Sequence, residues 1–292
     1  MPRRTRTRRR RPARPGGRRR REGIVIRPSL PGTAGPAARP SVAPGIAPSD
    51  PVGFLHSVET GAAGDGPGMR FVFFMAGCPL RCQYCHNPDT WKLKAGRRID
   101  LDEAIAEVAP YRGFLRLAGG VTVSGGEPMT QPEFVGALLA RLHDELRLHT
   151  ALDTTGFLGR NVADDWFDPV DLVMLDIKHA DPEAYRRITG CDLQPTLDFA
   201  RRMVRLGVPM WIRYVLVPGL TDAAADIARL AGFLADLGPL VHQVDVLPYH
   251  RLGVQKWAAL GRPYPLAHTP APTRAEVDAA IAIFRSHGLT AR

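Results

Sequence analysis

The sequence predicts an α/β protein, an open (β/α)6 partial TIM barrel preceded by a disordered arginine- and proline-rich extension. Two observations predict the barrel: short apolar runs alternate with longer amphipathic stretches, and six such units can be counted, with no sign of eight. Strands separated by helices indicate βαβ units and a parallel sheet. A third observation, a change in composition near residue 51, separates the extension, residues 1–51, from one domain over residues 52–292.

The extension is strongly basic and poor in apolar side chains. It carries fourteen arginines, no lysine and two acidic residues, whereas the whole chain has a net charge of +10, so the remaining residues are slightly acidic. Because it is crowded with Pro, Gly and Ala, it cannot bury enough surface to offset its conformational entropy, and we expect it to be disordered. Such an arm can bind nucleic acid phosphates. Since no recognition fold accompanies it, a dispensable extension is favoured.

The sequence also indicates the cellular compartment. No apolar signal segment follows the arginines, which argues against export, and no membrane partner is expected. Serine is scarce and no amphipathic helix is evident near the start, which argues against an organellar transit peptide. Three of the four cysteines are clustered, a pattern that pairs poorly as disulfides. These features favour a cytoplasmic protein.

The apolar and amphipathic segments give the elements in order. Apolar runs predict six strands, over residues 71–75, 120–124, 149–153, 171–177, 210–217 and 242–248. Helical periodicity predicts helices over 101–110, 131–146, 197–206 and 223–237, and a last helix near 274–287 that packs across the outside. Barrel enzymes carry their chemistry on the loops at the carboxyl ends of the strands, and polar motifs follow these predicted strands.

The loop after the first predicted strand carries Cys78, Cys82 and Cys85 with CxxxCxxC spacing. Three thiolates and no fourth suit a cubane iron–sulfur cluster that keeps one iron without a protein ligand. An open metal position is where a substrate or cofactor binds. Cys191 lies over a hundred residues downstream and is expected to be a lone thiol. A structural zinc site that adds His86 is the alternative, although His86 directly follows Cys85, which makes a closed tetrahedron awkward.

The surroundings of the cysteines resemble a known family. The stretch GPGMRFVFFMAGCPLRCQYCHN, residues 66–87, is similar to the motif of radical S-adenosylmethionine (SAM) enzymes that activate glycyl radical enzymes. The matching positions are Gly66, Gly68, Arg70, Phe74, Gly77, the three cysteines and Asn87. Further matches are VTVSGGEP, LDTTGF, DLVMLDIKH, WIRYVLVPG and LPYHRLG, so the likeness covers residues 52–292. Many other activators carry a ferredoxin-like insert with further cysteines, and this chain has no cysteine between Cys85 and Cys191. It therefore resembles most the activators of pyruvate formate-lyase.

This resemblance implies cofactors and partners. It implies one [4Fe–4S] cluster held by the three cysteines, SAM at the open iron, and reductive cleavage of SAM to a 5′-deoxyadenosyl radical. It also implies a monomeric enzyme with pyruvate formate-lyase as its protein partner and flavodoxin or ferredoxin as its electron donor. The alternatives are an activator of another glycyl radical enzyme, such as anaerobic ribonucleotide reductase, and a non-enzymatic iron–sulfur or zinc protein whose basic arm binds nucleic acid.

The resemblance further assigns residues that bind the cofactor. Tyr84 presents its ring or backbone to the adenine side, and the glycines of Gly125–Gly126 let the backbone approach the methionine amino group because no Cβ intervenes. Lys178 and His250 reach the SAM carboxylate and the ribose or adenine, respectively. Arg213 pairs with a carboxylate or forms a salt bridge inside the barrel. The remaining cofactor candidates are Cys85, His86, Glu127, Asp176 and Ile177.

A second set of residues is assigned to a monovalent cation close to the SAM carboxylate. Its members lie at the ends of the third and fourth predicted strands, and they are Asp153, Thr154, Asp176 and the backbone of Met174. Hard oxygen ligands suit such an ion. The alternative without a bound cation is that the two carboxylates at these strand ends are simply hydrated capping residues.

Overall fold

The computed structural model of the chain describes residues 50–292, so the predicted disorder of residues 1–49 falls outside the described part. Eight strands are present in that part: β1 (Gly53–Ala62), β2 (Met69–Met75), β3 (Arg97–Ile99), β4 (Gly119–Gly125), β5 (Thr150–Thr154), β6 (Leu172–Asp176), β7 (Met210–Leu216) and β8 (Val241–Pro248). They form one sheet in the order β3-β1-β2-β4-β5-β6-β7-β8. The sheet does not close, because β3 and β8 at its two ends do not pair.

Six neighbouring strands of the sheet, β2 and β4 to β8, run parallel, as the sequence predicts. Each predicted strand overlaps one of them, so the open (β/α)6 architecture is confirmed. The other two strands were not predicted, and both are antiparallel additions at one edge, where β1 pairs with β2 and with β3. Polar, exposed residues in the middle of β1, such as Ser57, Glu59 and Thr60, hide this strand from a search for apolar runs.

Eight α-helices connect and cover these strands in the described part: α1 (Leu101–Val108), α2 (Arg112–Ala118), α3 (Pro132–Ala140), α4 (Pro182–Thr189), α5 (Gln194–Leu206), α6 (Ala224–Asp236), α7 (Val254–Ala259) and α8 (Arg274–Ser286). The sequence predicts five of them and misses α2, α4 and α7, which are all of eight residues or fewer. The helix predicted over 131–146 ends as α-helix at Ala140 and continues as a π-helical turn over Arg141–Glu145. None of these helices is long and apolar enough to cross a membrane.

The main core lies between the sheet and the helices, with side chains such as Phe73, Leu138 and Phe199 almost completely buried in it. As predicted, α8 packs on the outside, against α6 and β8. The last residues of the chain then run along the free edge of β8, where the Val244 N–H donates to the Thr290 carbonyl at 2.8 Å. This tail covers an edge strand that would otherwise expose unpaired backbone groups.

Candidate active site

A cavity of about 430 Å³ opens at the carboxyl ends of the parallel strands, and we call it the mouth cavity. Twelve of the sequence-predicted site residues line it: Cys78, Cys82, Tyr84, Cys85, His86, Gly125, Gly126, Asp153, Asp176, Lys178, Arg213 and His250. Four predicted residues do not line it: Glu127, Thr154, Met174 and Ile177. The loops after β2, β4, β5, β6 and β8 therefore converge on one site, as the pattern of polar strand ends predicts.

The cysteine loop, residues 78–85, is held by backbone hydrogen bonds to its neighbours. The Cys78 N–H donates to the Trp91 carbonyl at 3.3 Å, and the Cys85 N–H turns back to the Cys82 carbonyl at 3.2 Å. The indole N–H of Trp257 donates to the Cys85 carbonyl at 2.9 Å. All four cysteines of the chain are free thiols, so the three in this loop are available as ligands.

The three thiols fit a cluster better than a single ion. Burial raises the pKa of Cys82 to about 12, and burial raises the pKa of Cys78 and Cys85 as well, so thiolates here need a compensating positive charge. Among residues 50–292, no three His, Cys, Asp or Glu side chains surround one metal position, as the zinc alternative requires. In a cubane cluster each cysteine binds a different iron, so the thiolates need not converge on one point.

Gly125 and Gly126 bring the end of β4 under the cysteine loop. A Cβ on Gly125 would lie 2.2 Å from the Met75 nitrogen, and one on Gly126 would lie 2.3 Å from the Gly77 carbonyl oxygen. The Glu127 N–H also donates to that carbonyl, at 2.8 Å. The space that a side chain would need is thus filled by the protein's own backbone. Gly125 is therefore required for the close packing of β4 against β2, and Gly126 for the close packing against the cysteine loop.

Asp153 lies at the end of β5 with a half-satisfied carboxylate. Its Oδ2 accepts hydrogen bonds from Ser124 Oγ at 2.6 Å and from Arg213 Nη1 at 2.9 Å. Its Oδ1 is buried and has no hydrogen-bond partner among the described residues. Burial raises the pKa of Asp153 to about 6, although Arg213 acts in the opposite direction. A buried carboxylate oxygen without a hydrogen-bond partner fits coordination of a cation or of a polar cofactor group.

Arg213, whose two interpretations the sequence leaves open, forms the salt bridge inside the barrel. Besides Asp153 it approaches Asp65 at 3.5 Å, and the charge of Asp153 holds the pKa of Arg213 above its usual range. Asp65 belongs to the loop between β1 and β2, and its own carbonyl accepts the hydroxyl of Thr122 at 2.6 Å. The guanidinium of Arg213, which belongs to β7, therefore links the β1–β2 loop to the end of β5.

Glu127 acts inside the protein rather than at the cavity wall. Its fully buried carboxylate accepts hydrogen bonds from Thr154 Oγ1 at 2.6 Å, from both the hydroxyl and the N–H of Thr155, and from the Met129 N–H. Burial nevertheless raises the pKa of Glu127. The arrangement ties the loop after β4 to the loop after β5. The hydroxyl of Thr154 also accepts the Gly156 N–H, so it has little capacity left for a cation.

Lys178 and Tyr84 form the wall on the side of β6. Lys178 Nζ lies 2.9 Å from Asp176 Oδ1. Burial lowers the pKa of Lys178, but Asp176 and Cys82 together outweigh burial, so this pKa lies above its usual value. Tyr84 packs against Ile188, with Lys178 Nζ 5.9 Å from its ring centroid, and its buried hydroxyl has no partner among the described residues. Met174 and Ile177 are completely buried, so only their backbones could reach a ligand.

Residues after β8 clasp the cysteine loop and its continuation from the other side. The rings of His86 and His250 stack with centroids 4.2 Å apart, and His86 Nε2 lies 3.0 Å from the His250 carbonyl. Lys256 Nζ donates to Asn87 Oδ1 at 2.8 Å, next to the Trp257 hydrogen bond already described. We call these contacts the clasp. It joins the loops of the first and last parallel strands, which do not touch through the sheet.

Sequence reasoning missed Asp65 and Ser124 as wall residues of the mouth cavity. Ser124 directly precedes the Gly-Gly pair, which is a usable signal because the carboxyl end of a strand faces the site. Asp65 carries no such signal. Its DGPG stretch looks like a plain turn, and its approach to Arg213 joins residues 148 positions apart.

Comparison with known proteins identifies the family. Residues 72–231, more than half of the chain, match the family model described as the radical SAM superfamily. The chain belongs to the radical SAM superfamily. It is also 42% identical, over 236 residues, to the pyruvate formate-lyase-activating enzyme of Staphylococcus aureus strain USA300. The alignment covers 78% of this chain and 93% of that protein, and the enzyme of strain NCTC 8325 gives the same values. The chain is thus a member of the pyruvate formate-lyase-activating enzyme family, and the predicted recognition is confirmed.

Solved structures agree with this radical SAM assignment. A domain of the pyruvate-formate lyase-activating enzyme from Bacteroides vulgatus ATCC 8482 matches with a TM-score of 0.51 and 27% identity, covering 60% of this chain and 98% of that one. A radical SAM methyltransferase from Sphaerobacter thermophilus matches with a TM-score of 0.55 and 19% identity, covering 76% and 65% of the two chains. This second likeness shows the shared fold alone. Membership of the superfamily implies a [4Fe–4S] cluster and SAM as cofactors.

Proposed function

We propose that this radical SAM enzyme activates pyruvate formate-lyase by installing a glycyl radical on it, through reductive cleavage of SAM at one [4Fe–4S] cluster. The observation that carries the proposal is the cysteine loop, with three free thiols and no fourth, at the rim of a cavity lined by polar strand ends. The 42% identity to enzymes named for this activity supports pyruvate formate-lyase as the partner.

In this proposal the residues of the chain bind and orient, while the cluster and SAM supply the radical chemistry. Cys78, Cys82 and Cys85 hold three irons of the cluster. Lys178 offers an ammonium to the SAM carboxylate, and His250, which lines the same cavity, binds the ribose or adenine. The hydrogen is taken from the Cα of a partner glycine, whose lack of a side chain allows close approach to the 5′ carbon.

Anaerobic incubation with pyruvate formate-lyase tests this assignment. We expect the reduced enzyme and SAM to produce a doublet electron-spin signal on the partner, and an acceptor Gly→Ala variant of the partner to give none. With the partner glycine deuterated at Cα, deuterium should appear in the 5′-deoxyadenosine. Rapid SAM cleavage without an electron-spin signal or label transfer would be consistent with the radical SAM assignment. It would contradict the assignment of pyruvate formate-lyase as the partner. A signal on anaerobic ribonucleotide reductase instead would favour that alternative.

We infer that a monovalent cation binds between the ends of β5 and β6, next to the SAM carboxylate. The buried and unpartnered Oδ1 of Asp153 supports the site, and Asp176 supplies a second carboxylate at the neighbouring strand end. Replacing sodium and potassium by tetramethylammonium is expected to weaken SAM binding by the loaded enzyme, measured by equilibrium dialysis. The Asp153→Asn variant should bind SAM weakly in both buffers. Equal SAM affinity of the unmodified enzyme in both buffers would contradict the cation.

We propose that residues 52–292 form the radical SAM domain. Both the family match and the cavity residues lie within this range, and β1 begins at Gly53, directly after the proposed boundary. A truncated protein that starts at Val52 is expected to bind its cluster and cleave SAM at the same rate as the full chain. A large loss of cleavage would show that the boundary is wrong.

The cytoplasmic location, the monomeric state and the identity of the electron donor stay predictions.

A further inference from the structure

A second cavity lies outside the mouth, along α4 and α5. Its volume is about 1320 Å³, and apolar side chains such as Leu197 and Phe199 form part of its lining. Six arginines surround it, against three acidic residues: Arg160, Arg186, Arg187, Arg201, Arg202 and Arg205. We call this surface the arginine groove. Its charge is notable because residues 52–292 as a whole are slightly acidic.

Half of these arginines are free to attract a partner. Arg186, Arg201 and Arg202 each form a salt bridge with an aspartate nearby. Arg160, Arg187 and Arg205 are exposed, and within residues 50–292 they make no salt bridge. Cations without local partners keep their attraction for an incoming acidic surface and accelerate its association. An apolar floor beneath them supplies the contact area that charge alone does not.

One end of the groove touches the cysteine loop. The Arg81 N–H donates to the Thr189 carbonyl at 2.6 Å, and the Gln83 N–H donates to the Ile188 carbonyl at 3.0 Å. The side chain of Gln83 also donates to the carbonyl of Arg187, at 2.8 Å. The loop that carries the cysteines is therefore bonded directly to the last turn of α4, which lines the groove. A protein bound there contacts the helix to which the cysteine loop is hydrogen-bonded.

We propose that the arginine groove is the docking site of an acidic protein that carries one electron. The inference rests on the proposed function, in which each SAM cleavage consumes one electron. In the docked complex one electron leaves the carrier and reduces the cluster, and no bond or proton changes in that step. Nucleic acid phosphates would also be attracted by the arginines, but contact with the cysteine loop gives an advantage only to an electron carrier.

The test compares two reductants on the fully loaded enzyme. Reduced flavodoxin serves as the acidic protein carrier, and photoreduced 5-deazariboflavin serves as a small neutral donor that needs no docking surface. The double variant Arg187→Glu/Arg205→Glu reverses two free charges of the groove, and Arg116→Glu reverses an exposed arginine on α2 as the matched control. The readout is the initial rate of 5′-deoxyadenosine formation at low and high salt.

With flavodoxin at low salt, we expect the double variant to lose about ten-fold in rate, because reversal of rim charges lowers the association rate and its salt dependence. With 5-deazariboflavin it should match the unmodified enzyme, and Arg116→Glu should be unchanged with both donors. An equal flavodoxin-driven rate for the double variant would overturn the proposal, as would an equal loss in the control. Groove-dependent binding of random single-stranded RNA, without an effect on reduction, would assign the groove to nucleic acid instead. Failure of the unmodified enzyme with both donors would instead remove the proposed function and this inference with it.

Discussion

Replacement of Cys78, Cys82 or Cys85 by alanine is expected to abolish both the iron–sulfur absorbance and the cleavage of SAM. Each variant removes one of only three thiols on the cysteine loop. Loss of a supporting residue typically costs metal sites about 10–100-fold in affinity or activity, and loss of a ligand itself should exceed that range. Iron content after anaerobic reconstitution and 5′-deoxyadenosine formation measure the two effects.

Cys191→Ala is the matched control for these variants. Its thiol lies beside the cysteine loop, with Sγ 4.0 Å from the Pro79 carbonyl, but it is not a wall residue of the mouth cavity. We expect this variant to keep its iron and its rate of SAM cleavage. Iron loss in Cys191→Ala together with retention in Cys82→Ala would contradict the ligand assignment.

Gly126→Ala is expected to impair the site without changing any polar group. The added methyl group would lie 2.3 Å from the Gly77 carbonyl oxygen and 3.1 Å from Cys78 Cβ, so the cysteine loop must shift. Overpacking of this kind typically costs about 1–3 kcal/mol of stability. The shift also moves Cys78, the first of the three proposed cluster ligands. We therefore expect a lower melting temperature, together with reduced iron content after reconstitution.

Gly232→Ala provides the comparison within the same protein. Gly232 lies within α6, and no atom stands within 4 Å of the position that its Cβ would take. Alanine in a helix is more stable than glycine by about 0.5–1 kcal/mol, so this variant should melt slightly higher and keep full activity. If Gly126→Ala behaved like Gly232→Ala, the close packing of the glycine against the cysteine loop would be refuted.

The parallel part of the sheet could be predicted because its strands are buried on both faces and therefore have continuous apolar sequences. Runs such as FVFFM before the cysteines and LVML before Asp176 carry that signal directly. β1 could not be found in the same way, because half of its residues are exposed to solvent. Its antiparallel pairing with β2 depends on tertiary structure, which no local sequence pattern shows. The helix α7, with six residues, is shorter than two helical turns, so it lacks the length over which helical periodicity becomes visible.

In the site, the sequence predicted which residues gather but not every function they perform there. Spacing placed the three cysteines on one loop, and the motifs placed Lys178 and His250 at the mouth cavity. The sequence did not show that the carboxylate of Glu127 accepts hydrogen bonds from Thr154 and Thr155. It also did not show that Gly126 packs under the cysteine loop. Those contacts depend on how closely neighbouring loops approach, which no local pattern records.

The clasp has a consequence for how the cofactor is installed. The ring around the mouth cavity is completed by side chains that join the loops after β2 and β8, whereas no backbone ladder joins the two ends of the sheet. The clasp consists of three hydrogen bonds and one histidine stack, beside an ion pair of Lys256 with Asp89, and none of these contacts belongs to a strand pairing. We therefore expect that iron and sulfide can be delivered to a domain that has already folded, and that a damaged cluster can be rebuilt without global unfolding.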